Sequence, residues 1–127
     1  MNKKDLIQNS KRVVIKIGSA LLVDKQNGSL NSTWLNSLAL DIDNFIKLKK
    51  EVIIVSSGSI ALGKKQLKLK NNLSLDEKQA AAATGQISLA HAWKDTMGKY
   101  GLDIAQILLA PDDTETRRKH LNARATL

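Results

Sequence analysis

Two short apolar runs, each stopped by a Gly/Ser turn and followed by a helical pattern, constrain this chain most. Residues 12–17 (RVVIKI) are short, β-branched and ended by Gly18. Residues 52–55 (VIIV) are apolar throughout and end in Ser56-Ser57-Gly58. Runs of this length and make-up read as strands, and a strand apolar on both faces reads as an interior strand of a parallel sheet. Between them, residues 24–31 (DKQNGSLN) carry the Asn27-Gly28 turn signal. Residues 32–50 follow, with Trp34, Leu35, Leu38, Ile42, Phe45 and Ile46 on one helical face.

The same alternation continues. A helix is expected from Gly58 to about Leu67. Ser74 and Glu77 form an S-x-x-E capping box that opens the next helix. Gly85 marks a break or a close backbone contact within that region, and a further helical stretch from Ile87 to Tyr100 ends at Gly101. Residues 104–109 (IAQILL) are predicted as a third strand, and Pro111 opens a last helix that runs to Leu127. The order β-α-β-α-α-β-α predicts an α/β fold, an open and mainly parallel sheet with helices on both faces. Three strands and an uncapped amphipathic end lead us to expect part of a longer domain.

Composition narrows the function classes. The chain has 127 residues, 43% of them apolar but only 3% aromatic, so its core must be aliphatic. The absence of cysteine excludes a disulfide scaffold and a thiolate metal site, and fits a reducing compartment. No apolar run approaches the roughly 20 residues of a membrane span, and Lys16 interrupts the one stretch similar to a leader. A cytoplasmic protein is expected. The net charge of +8 suits nucleic acid or an anionic small ligand. The lysines are scattered and no aromatics interleave with them to stack bases, so nucleic acid is the weaker reading. His91 and His120 are isolated, and no metal site is expected.

The chemistry is expected at the strand ends. Lys16 lies within an apolar strand, where an ammonium needs water or an anion, and its place near the strand's C-terminal end faces the ligand crevice of an open α/β sheet. A solvent-seeking edge lysine is the plainer reading. Gly18 beside it permits close approach of a ligand. At the second strand end, Ser57, Gly58 and Ser59 open a helix whose free amides and dipole favour an anion; the plainer reading is a serine N-cap. Gly58, Gly63 and Lys64 nearly match a phosphate loop, but Lys65 stands where a Ser or Thr hydroxyl should meet magnesium. Gln106, between Ala105 and Ile107 in the predicted third strand, needs hydrogen-bond partners and is a candidate substrate contact.

Taken together, VVIKIGSALL, IVSSGSIALG, KQAAAATGQISL, AQILLA and RKHLNARATL, in this order, resemble the glutamate 5-kinases of the amino acid kinase superfamily. The resemblance runs from Arg12 to Leu127. It implies a three-layer sandwich and transfer of the γ-phosphoryl of ATP, with Mg2+, to the γ-carboxylate of L-glutamate, the first step of proline biosynthesis. It implies Lys16 as the catalytic lysine on the transferred phosphoryl, with Gly18 and Ser19 beside it at the phosphate. Ser57, Gly58, Ser59 and Gln106 would hold glutamate. It further implies proline as feedback inhibitor and a homo-oligomer. Ser19-Ala20 stand where the family often shows Thr-Ser, which retains one hydroxyl and loses the other. On this resemblance the 127 residues are the N-terminal, substrate-side part of a kinase domain, without its ATP-side half or a PUA domain. A non-catalytic module that binds glutamate or proline is the alternative.

Overall fold

The computed structural model describes residues 2–127. Strand β1 (Arg12–Ile17) pairs in parallel with β2 (Glu51–Ser56), and Arg12 lies opposite Glu51 and Ile17 opposite Ser56. The crossover between them is helix α3 (Ser32–Lys47), whose first turn Asn31 caps by accepting from the Trp34 amide at 3.2 Å. Before β1 lies α1 (Lys3–Asn9), and after it the single turn α2 (Ser19–Leu22). After β2 come α4 (Ser59–Gln66) and the long α5 (Leu75–Gly98), then α6 (Pro111–Glu115) and α7 (Arg117–Thr126).

The core is built on one face of this ribbon. Ile15, Ile17, Val52 and Ile54 point into a cluster with Leu35, Ala39 and Ile42 of α3, Leu62 of α4, and Leu89, Trp93 and Met97 of α5. Ile17 retains only 1% of its exposure. On the opposite face Val14 is 60% and Val55 50% exposed, with Lys16 beside them. The α/β class and the open parallel sheet are as expected, but among the described residues the helices cover one face rather than both.

Three expectations are corrected. Residues 104–109 form no strand: they are irregular and exposed, paired with neither β1 nor β2. A six-residue run gains little from ladder hydrogen bonds that replace water, and needs burial as well. The helices spend their apolar faces on β1 and β2. Nor is there a break near Gly85, since α5 is continuous. The alternative expectation for that glycine, a close contact, holds: a Cβ there would lie 1.7 Å from the Ser59 carbonyl oxygen. A Cβ on Gly63 would likewise meet the Ala81 carbonyl oxygen at 1.8 Å, so α4 and α5 touch backbone to backbone. Finally, the last helix is divided at Thr116, whose extended backbone (ψ 117°) separates α6 from α7. The capping box is as predicted: the Ser74 amide donates to Glu77 Oε2 at 2.8 Å, and the Glu77 amide to Ser74 Oγ at 3.4 Å.

Candidate functional site

Parallel pairing brings both strand ends to the same edge of the sheet. With Ile17 opposite Ser56, the turns 17–19 and 56–59 lie side by side. The Ser57 amide donates to the Ile17 carbonyl at 2.9 Å and so carries the pairing one residue past β2. Five predicted site residues therefore converge beside Lys16: Gly18, Ser19, Ser57, Gly58 and Ser59. Lys16, Gly18, Ser19 and Ser57 are exposed, and Gly58 is buried.

The two helices that start here, like α6 and α7, have no side-chain cap, in contrast to α1, α3 and α5. Asn2, Asn31 and Ser74 cap α1, α3 and α5 with their side chains. The caps of α2 and α4 are Gly18 and Gly58, and neither start has a side-chain cap. The reading of Ser57 as a simple N-cap is thus corrected. Its hydroxyl has no partner among the described residues, and no side chain caps the first-turn amides of α2 and α4, of which the Leu21 amide donates to the Gly18 carbonyl at 3.2 Å. Gly58 adopts φ +113°, and a Cβ on it would crowd Leu22 Cδ2 at 3.3 Å and Val23 Cγ2 at 3.4 Å. Only glycine turns the chain here while lying this close to α2.

Gln106 is not brought to this site. It is exposed on the unpaired segment 102–110 and has no hydrogen bond among the described residues. Lys64 and Lys65, the apparent phosphate-loop lysines, lie in the last turn of α4, away from its start, and are held by Asn71 and Ser29 respectively. Sequence reasoning missed Ser56 and Trp93. The Trp93 indole donates to Ser56 Oγ at 3.3 Å and pins the end of β2 to α5. Only the helical spacing of Leu89, Trp93 and Met97 hinted that this ring faces inward.

The arrangement suits an anion. It offers one free ammonium, two uncapped helix starts and hydroxyls at Ser19 and Ser57. Among the described residues no group of three or more His, Cys, Asp or Glu side chains could hold a metal ion. Lys16, Gly18, Ser19, Ser57, Gly58 and Ser59 include no carboxylate, the side chain that usually holds magnesium. No helix among the described residues is long and apolar enough to cross a membrane.

Known proteins are similar to this chain in sequence. A protein 52% identical over 118 residues is the glutamate 5-kinase of Paramagnetospirillum magneticum, with 93% of this chain and 32% of that protein covered. The glutamate 5-kinase of Gluconobacter oxydans is 52% identical over 122 residues, covering 95% of this chain and 32% of its own length. That of Bartonella henselae is 56% identical over 118 residues, covering 92% and 31%. The chain thus spans about a third of the length of these relatives. The model of the amino acid kinase family matches residues 11–127, and the chain belongs to that family.

Proposed function

We propose that this chain is the substrate-side part of a glutamate 5-kinase, in which the γ-phosphoryl of ATP passes to the γ-carboxylate of L-glutamate in proline biosynthesis. The observation that carries the reading is the pairing of two uncapped helix starts with the exposed Lys16 at one edge of the sheet. The glutamate 5-kinases to which the chain is similar suggest the substrate. On this reading the enzyme is cytoplasmic and homo-oligomeric, proline is its feedback inhibitor, and the ATP side belongs to the additional length that the relatives carry.

The chemistry asks for little beyond this inventory. A glutamate γ-carboxylate has an ordinary pKa near ~4.3 and is ionised at neutral pH, so no general base is required. The barrier is repulsion between two anions, and catalysis is positioning and charge neutralisation. ATP, when bound, supplies the phosphoryl group. Lys16 places its ammonium against the charge that develops on that group. Ser57 and the amides that open α4 orient the substrate, and Gly18 and Ser19 keep the adjoining turn free of bulk. The steps assigned to these residues do not involve magnesium. Gln106 joins the glutamate pocket once residues 104–109 pair as a strand in the longer protein.

The test is ADP release by the longest chain the gene encodes, supplied with MgATP and L-glutamate, N-acetylglutamate or L-aspartate. Turnover with L-glutamate alone is the expected result. Lys16→Ala in that chain lowers kcat by roughly 10²- to 10³-fold, as loss of a transition-state donor does, and a loss under about threefold overturns the role of Lys16. Binding of glutamate or proline without ADP release would instead favour a non-catalytic module.

A further inference from the structure

We propose that a second site, adjoining the strand ends at Ser19, binds a small polyanion of the phosphate class. It is a concavity of about 440 Å³ between α2, the loop that follows it and the C-terminal end of α4. Lys25, Lys64, Lys65 and Lys68 all line it. They come from separate places in the chain: the loop after α2, the last turn of α4 and the connection beyond it.

None of the four is in an ion pair, although the Asp24 carboxylate shares the lining and offsets one charge. Lys64 donates to the Asn71 side-chain oxygen and Lys65 to the Ser29 hydroxyl, both neutral partners. Lys25 and Lys68 have no side-chain partner among the described residues. The only acidic residue in the lining, Asp24, is engaged within its own loop, where its Oδ1 accepts from the Gln26 amide at 2.7 Å and the Asn27 amide at 3.2 Å. The negative end of the α4 dipole accounts for Lys64, Lys65 and Lys68, but not for Lys25. The φ of +53° at Lys68 belongs to the helix end: its amide donates to the Lys65 carbonyl at 3.1 Å and that of Leu69 to the Lys64 carbonyl at 3.0 Å.

Four like charges around one concavity repel each other, and a multivalent anion relieves that repulsion most. The Ser19 hydroxyl, also in the lining, adds a neutral donor. No aromatic residue lines the concavity, which disfavours a single-stranded nucleic acid, since its bases need rings on which to stack. Lys16, Gly18, Ser57, Gly58 and Ser59 do not line it; Ser19 does, so the concavity adjoins the strand-end site and shares that one residue with it.

Calorimetric titration of the 127-residue chain with inorganic pyrophosphate at low ionic strength tests this. Saturable binding of one pyrophosphate per chain is expected. Lys25→Glu and Lys68→Glu, both at exposed positions, should each weaken it about tenfold, because each replaces an attraction by a repulsion. Lys70→Glu makes the same change in net charge outside the concavity and should leave binding within about twofold, as should Lys16→Ala. Parallel titrations with phosphate and ATP separate an inorganic from a nucleotide source. The proposal is overturned by absence of saturable binding at millimolar pyrophosphate, or by equal weakening in Lys70→Glu, which would mark a diffuse field. Loss in Lys16→Ala, which would move the ligand to the strand ends, overturns it too. So does a single-stranded oligonucleotide that binds through the same lysines more tightly than pyrophosphate.

Discussion

Gly58 shows how a single residue holds the strand-end site. Its φ of +113° lies where an L side chain is strained, and a Cβ would press on Leu22 and Val23 of the neighbouring turn. Gly58→Ala should therefore lower stability by about 1–3 kcal/mol, read as a lower urea midpoint with unchanged m. Lys16 is the opposite case. It is exposed and bonds to nothing among the described residues, so Lys16→Ala should leave the urea midpoint unchanged while removing turnover in the longer enzyme. A residue that matters to activity and not to folding is what a phosphoryl-contacting lysine requires. Both residues stood out in the sequence, Gly58 by its place after an apolar run and Lys16 by its charge within one. The side-chain partner of Ser56 did not, because it comes from Trp93, 37 residues away.

At the scale of elements, the α4–α5 contact is the tightest in the molecule. Gly63 and Gly85 let one helix backbone lie against the other, and the atoms a Cβ would strike are carbonyl oxygens that cannot rotate away. Gly85→Ala should cost about 3 kcal/mol or prevent folding, since the helices must separate. Gly98, at the end of the same helix, has open space around its Cα, and Gly98→Ala should not destabilise. Thermal melts of the two variants provide the comparison. The strand pair has its own electrostatic clasp: Arg12 Nε donates to Glu51 Oε2 at 2.7 Å. That hydrogen bond and the Arg12 charge, with a smaller contribution from Lys11, hold the Glu51 carboxyl below the usual range. A carboxyl lowered in the folded state contributes stability above its unfolded pKa of about 4.3 and loses it as pH falls through the lowered value. Glu51→Gln should therefore show a shallower loss of Tm than the parent chain on acidification below about pH 4.3. The difference will be small, because the pair is exposed.

For the whole molecule, the governing fact is that one face of the sheet is bare. Val14 and Val55 stand exposed on it, and Ile104, Ile107, Leu108 and Leu109 are exposed on the unpaired segment that follows α5. An uncovered apolar face and free strand edges favour association. The 127-residue chain should self-associate at micromolar concentration in sedimentation velocity, and Val14→Lys with Val55→Lys should shift it toward monomer. If both forms sediment alike, the bare face is not what drives association.

The sequence by itself determined the two strands, the capping box of α5, the helical crossover and the residues gathered at the strand ends. Each of these depends on neighbours a few residues away: apolar periodicity, a serine three positions before a glutamate, a glycine after an apolar run. Tertiary structure decided the rest. Whether IAQILL becomes a strand depends on an edge to pair with and a surface to bury it. Whether Gly85 breaks a helix or receives one depends on what crosses there. Whether four lysines from separate segments share a concavity depends on how α2 and α4 meet. These are outcomes of burial and close approach between distant segments, and local pattern carries no information about which distant surface will be present.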